Sequence, residues 1–273
     1  MDDPEAQEVR RLLEGVRARY GYDFCDYAEA SIRRRVVSRL EPEGVPDVSR
    51  LAERVLRDPE CFERLLLALA VHSTSMFRDP GFFRVLRDQV VALLGTWPHA
   101  RIWDAGCSTG EELHSLAIVL EEEGLLDRCR IYATDLDEKV LRGARRGVIP
   151  LADMRTNTAN YLEAGGKRDF SSYYSAQEDH VVLDPRLRRS VIFAPHNLVS
   201  DGSFNEFHLI LCRNVMIYFN RALQDRVHRL IFASLARLGV LALGRCESLR
   251  FTPHEADYEM MSEAERVYRK VRE

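Results

Sequence analysis

The chain has 273 residues, 46% hydrophobic and 30% charged, with a net charge of -4. That balance excludes a largely disordered chain, and near-neutrality excludes wholesale electrostatic binding to nucleic acid. One hydrophobic core stops growing at roughly 250 to 300 residues, so the length allows one large α/β domain with a small companion.

The amino terminus, MDDPEAQEVRRLLEG, is acidic and amphipathic, and no run of roughly 18 uncharged apolar residues occurs, so a cytoplasmic protein is expected. Residues 1–72 read as helices: EVRRLLEGVRARYG, SIRRRVVSRLE and VSRLAERVLRDPECFERLLLALA carry apolar positions at helical spacing. From Arg101 the pattern becomes short β-branched or aromatic runs alternating with helices: RIWDA, a helix from about Glu111, RIYATD, and a helix from about Glu138. Such alternation predicts a mostly parallel sheet with right-handed crossovers over 73–273. Further strands are expected at SVIFA, FHLIL and VLALG, with RVYRKV as a carboxy-terminal edge. The polar, irregular stretch at about 157–189 is read as an inserted small subdomain. Cys25, Cys61, Cys107, Cys129, Cys212 and Cys246 form no CxxC pair and have no histidine at finger spacing. Neither a metal site nor a disulfide framework is therefore expected, and Cys107 and Cys212 are read chiefly as packing residues.

The strongest local signal is RIWDAGCSTGEELHSLAIVL: a strand ending in Asp104, a turn with Gly106 and Gly110, and a helix opening with Glu111 and Glu112. A pyrophosphate-binding turn would leave the helix amino terminus to an anion. Two carboxylates here would repel one, but they suit a phosphate-free donor carrying an ammonium and a sulfonium, which describes S-adenosylmethionine. The alternative is that both merely complement the helix dipole. Asp135, ending the next strand some 25 residues beyond Gly110, stands where an acid can bind ribose hydroxyls. Ligands of open parallel sheets lie over the carboxyl ends of the strands, which adds His196, Asn197, Leu198, Cys212, Arg213 and Asn214 as pocket or turn residues; a side-chain amide with apolar neighbours there could hold adenine.

The set TSMFRDPGFF, IWDAGCSTGEELHSLA, ATDLDEKVL, FAPHNL and LILCRNVMIYFN, in order over about Tyr20 to Lys270, resembles the CheR family of chemoreceptor glutamate methyltransferases. The resemblance implies an all-α domain followed by a Rossmann-like domain with a small β-subdomain. It places Thr74 and Arg78 at the methionyl part of S-adenosylmethionine, Glu112 at its amino group and Asp135 at its ribose. Asn197, Leu198, Arg213 and Asn214 complete the pocket, and Arg78 with Tyr218 resembles the family's proposed catalytic pair. His72 stands where the family usually has Asn, His114 where Tyr is usual, and LARLGVLALG lacks the usual Pro-Gly-Gly turn. The 157–189 segment also lacks the glycine-rich signature with which some members dock a receptor's carboxy-terminal pentapeptide, so tethering of that kind is not expected. Asp104, Gly106 and His72 join the expected cofactor set, and S-adenosylhomocysteine is the expected product.

The substrate implied is the Glu/Gln-rich cytoplasmic helices of chemoreceptors, met by a monomer that reaches the membrane only through its receptor. Arg33, Arg34, Arg35 and Arg39 in SIRRRVVSRL, with Ile32, Val36 and Leu40 inward, form the expected recognition surface for such an acidic partner. A solvated basic face, or pairing with the acidic first helix, is the plainer reading of those arginines. No aromatic residues interleave with them, which speaks against nucleic acid. Other readings of the same fold are a methyltransferase for another protein, nucleic acid or small molecule, and a cofactor-sensing module without turnover.

Overall fold

The computed structural model describes residues 4–22, 24, 27–69 and 74–272, except the side chain of Leu67. The chain divides into two compact units: Met1–His72 with Tyr218–Val227, and Ser73–Ile217 with His228–Glu273.

In the first unit, α1 (Pro4–Tyr20), α2 (Glu29–Val37), α3 (Val48–Arg57) and α4 (Pro59–Leu69) bury their apolar stripes together, Leu12, Val16, Ile32, Val36, Leu51, Val55 and Leu65 among them. The expected single helix from Val48 is two, because Pro59 disfavours helical geometry at Asp58 before it and starts α4 itself. The loop before α3 carries Glu43, whose buried carboxylate takes a bidentate pair from Arg64 at 2.8 Å and one bond from Arg39 at 2.5 Å. Arg64, followed by Arg39, outweighs the cost of burial and holds that carboxyl down at about 2. One side chain thereby ties the residues after α2 to α4.

The second unit opens with one continuous helical run: α5 (Pro80–Val85), a π-helical turn at Leu86–Val90, and α6 (Val91–Leu94). Then come β1 (Ala100–Ala105), α7 (Glu111–Glu122), β2 (Cys129–Asp135), α8 (Glu138–Arg146), β3 (Val148–Pro150), α9 (Met154–Glu163), β4 (Tyr174–Ala176), β5 (His180–Leu183), β6 (Val191–Pro195) and β7 (Phe207–Cys212). After β7, α10 (Arg221–Ser234) runs from the first unit's share into the second's, followed by β8 (Leu235–Leu243), β9 (Tyr258–Ser262) and β10 (Val267–Lys270). The described residues form a seven-stranded sheet of order β6-β2-β1-β7-β8-β10-β9, parallel from β6 to β8 and antiparallel at β10 and β9. β7, FHLILC, is buried at every position, as a central strand covered on both faces must be. α7 buries Leu113 through Leu120 without a break. A separate antiparallel sheet, β3-β5-β4, occupies the segment between α8 and β6. Its first residue in the chain, Val148, precedes the stretch whose irregularity marks it in the sequence. No described helix is long and apolar enough to cross a membrane.

Candidate active site

The crossovers from β1 run to β2 on one side, and the chain later returns to β7 on the other. β1 therefore lies at the switch point, where the carboxyl ends of the strands open toward a ligand. Gly106 and Gly110 both adopt left-handed backbone, at φ 81° and 95°. A Cβ on Gly106 would lie 2.6 Å from Val215 Cγ2, and one on Gly110 would lie 2.9 Å from Ala144 Cβ on α8. Glycine is thus required at each by conformation and by close approach. The N–H groups of Gly106 and Cys107 both donate to Thr134 O, binding the turn to the end of β2.

Acids gather over this turn. Asp135 accepts the Ser108 N–H at 2.9 Å and the Asp137 N–H at 3.2 Å, so it shapes the turn from the β2 side. Asp104 is 2% exposed, and its buried Oδ2 has no hydrogen-bond partner. Burial, then Glu112 and Asp135, push its carboxyl well above the usual range, with Arg213 opposing. Glu111, taken by Thr109 Oγ1 at 2.5 Å, is raised by burial as well. Against these acids stands Arg213, whose guanidinium pairs with Glu112 and, at 2.8 Å, with Asp79, and lies 4.1 Å over the Phe82 ring. Asp79 and Glu112 share one arginine, and Asp104 beside them is pushed toward its neutral form with one buried oxygen unpartnered, so a cation arriving here would be favoured. That arrangement fits a sulfonium-ammonium cofactor and disfavours a pyrophosphate.

The loop before α5 presents Arg78. Met76 and Phe77, both fully buried, directly precede it. Their N–H groups donate to Asn157 Oδ1 at 3.1 Å and Ser115 Oγ at 2.9 Å, while Asn160 Nδ2 donates to Met76 O. Phe77 and Asp79 take positive φ, 52° and 56°. Arg78 is half-buried directly after these two anchored residues, and Thr74 is half-buried two positions before them. Since Asp79 is also the partner of Arg213, this loop and the head of α7 share one ion network: Asp79, Arg213, Glu112. After β6, Asn197 Oδ1 accepts the Val199 N–H at 2.9 Å and Leu198 is buried, so the amide serves a turn. After β7, Asn214 is left-handed at φ 60°, and Glu247 accepts N–H groups from Asn214, Val215 and Met216. Glu247 is absent from the sequence reading; its signal is a lone acid, in GRCES, directly after the last apolar strand. Asn157, Asn160 and Ser115 are likewise unread, because nothing local marks a residue whose partner is some 40 to 80 positions away.

The family description "CheR methyltransferase, SAM binding domain" matches residues 72–267, and "CheR methyltransferase, all-alpha domain" matches residues 7–70. The chain belongs to the CheR methyltransferase family. It is an S-adenosylmethionine-dependent methyltransferase. The Pseudomonas putida protein Cher3 is 46% identical over 263 residues, covering 96% of each chain. The chemotaxis protein methyltransferase of Salmonella typhimurium is 30% identical over 246 residues, covering 88% of this chain and 83% of its own. That of Listeria innocua is 28% identical over 240 residues, 87% of each.

Within the CheR fold, the other expected site residues have different placements. His72 lies outside the described residues. Tyr218 groups with the helical unit, where its ring lies 4.5 Å from the Arg35 guanidinium and its carbonyl accepts the Ala28 N–H. The picture of four arginines forming one outward surface is corrected by the geometry. Arg35 is 9% exposed and donates to Leu69 O at 2.6 Å, because its spacing from Ile32 puts it on the inward face of α2. Arg39 lies beyond the helix end, turned into the Glu43 hub. Arg33 pairs with Glu5 at 2.5 Å, the pairing with the acidic first helix that the sequence allows, and Arg34 is exposed. Cys107 and Cys212 are buried with thiols pushed well up, by burial first and then by neighbouring acids, so they pack and do not react.

Proposed function

We propose that this CheR-family enzyme methylates glutamate side-chain carboxylates of chemoreceptor cytoplasmic helices, producing methyl esters. The observation that carries the reading is the anchored presentation of Arg78: a cation on a loop fixed at Met76 and Phe77 and joined through Asp79 and Arg213 to Glu112 of the cofactor turn. When bound, S-adenosylmethionine supplies a methyl group on a sulfonium that departs as a neutral thioether. Asp135 and Glu112 would hold its ribose and amino group, Thr74 and Arg78 would face its methionyl part, and Asn197, Leu198 and Asn214 would close the adenine side. A glutamate of ordinary pKa, about 4.3, is already ionised at neutral pH, so the protein needs no general base. Its burden is alignment and exclusion of water. Arg78 holds the incoming carboxylate by charge-assisted hydrogen bonds.

On the helical unit, an open cleft of about 590 Å³ is lined by Glu5, Glu29, Ala30, Arg33, Arg34 and Val37. Arg34 and Arg33 are its cations, and they are the residues we assign to the acidic receptor helix. The test is transfer of labelled methyl to a receptor cytoplasmic fragment. Base-labile label on glutamate is expected from wild type, loss of at least about 100-fold from Arg78→Ala, and a partial return from Arg78→Lys. Label on RNA or a metabolite instead would assign the activity to another substrate, and normal turnover by Arg78→Ala would remove that residue from the mechanism.

A further inference from the structure

Glu247 is 5% exposed, yet its carboxylate is fully used by backbone donors. Oε1 accepts the N–H groups of Val215 at 2.9 Å and Met216 at 2.7 Å; Oε2 accepts those of Asn214 at 2.9 Å and Gly244 at 2.6 Å. Two donors on each oxygen satisfy its acceptor capacity, which only an ionised carboxylate offers. The cradle leaves no slack. A Cβ on Gly244 would lie 2.8 Å from Asn214 N, from Asn214 Nδ2 and from Glu247 Oε2. Three successive N–H groups, with Asn214 left-handed, form a concave anion-binding backbone that this side chain fills from within the fold.

The segment so held is the one that walls the cofactor turn. Val215 closes on Gly106, and Arg213, immediately before the held Asn214–Met216 stretch, binds Glu112 at the head of α7. We propose that Glu247 is a positioning residue for the cofactor: by ordering the Arg213–Met216 backbone it fixes the wall against which the adenosyl donor is received. Both of its carboxylate oxygens are taken by backbone donors, so its effect passes through the loop. The inference rests on the pocket at Asp104, Glu112 and Asp135 being the S-adenosylmethionine site.

A comparison with Glu122 separates positioning from general stability. Glu122 is a carboxylate with a buried side chain and four donors, Arg87, Tyr161, Tyr173 and the Lys167 N–H, at the far end of α7, roughly 16 Å along the helix from Glu111. Glu247→Gln keeps shape but turns one acceptor into a donor facing two N–H groups. Calorimetric titration of the full chain with S-adenosylmethionine and with S-adenosylhomocysteine is expected to show Kd raised about tenfold or more for Glu247→Gln, and unchanged for Glu122→Gln at a similar fall in melting temperature. At saturating cofactor, kcat of Glu247→Gln should stay within about threefold of wild type, the whole effect lying in cofactor KM. Equal cofactor affinity in the two variants would overturn the proposal, as would a loss confined to kcat. Should Glu247→Gln fail to fold, Glu247→Asp serves in its place, retaining the charge on a shorter arm; unchanged Kd there overturns the proposal too. Failure of wild type to bind either cofactor would instead overturn the pocket assignment, a distinct result.

Discussion

His114, on the first turns of α7, is 1% exposed; its Nδ1 lies 2.7 Å from Gly110 O, and its Nε2 is buried without a partner. Burial pushes its pKa down to about 4, so the imidazole is neutral and donates through Nδ1. Its pKa in the unfolded chain is about 6.5, higher than in the fold, so the unfolded state binds more protons between those values and stability falls as pH drops from 6.5 to 4. The loss attributable to His114 is on the order of 3 kcal/mol across that window. His208, also lowered by burial, adds in the same direction. His114→Gln should flatten the decline relative to wild type when urea midpoints are compared at pH 7 and pH 4.5. Parallel declines would show that the ring is not the titrating group.

Among the elements, α2 and the turn after it carry two kinds of arginine, and they should respond differently to substitution. Arg39 completes a buried carboxylate hub, so Arg39→Ala should lower stability by about 2 kcal/mol, less than the full cost of orphaning Glu43 because Arg64 remains bidentate. Arg34 is exposed, so Arg34→Glu should leave stability within about 0.5 kcal/mol and raise the KM for receptor while sparing cofactor Kd. Denaturant melts and initial rates read these separately; matched behaviour of the two variants would contradict the division. The spacing of Ile32, Arg35 and Val36 makes Arg35's burial legible in hindsight, since i and i+3 share a helical face. What the spacing does not contain is Leu69 O, the acceptor that makes burial of that charge tolerable. α10 is periodic too, with Leu223 and Val227 buried at i, i+4 and Ile231 at i+8, but is passed over between the strand signals that flank it. β3, β4 and β5 are three or four residues long, too short for an alternation to stand out.

At the scale of the whole molecule, a cofactor that binds only the folded protein should stabilise it by mass action. At 100 times Kd, S-adenosylmethionine or S-adenosylhomocysteine is expected to add about 2.7 kcal/mol, seen as a rise in melting temperature that grows with the logarithm of concentration. A melting curve indifferent to both ligands would contradict the pocket. The parallel strands and the glycine turn are legible in order along the chain, because periodicity and φ-demanding residues act locally; so are Asp104, Glu112 and Asp135, since each ends a strand or starts a helix. Tertiary structure alone decided that Arg213 would be spent between Glu112 and Asp79, that Asn157 and Ser115 would hold the Arg78 loop, and that Glu247 would hold the loop after β7. The reason is physical. A hydrogen bond or ion pair between residues tens of positions apart leaves no periodic trace in either segment, and it exists only once the sheet has brought both ends to the same place.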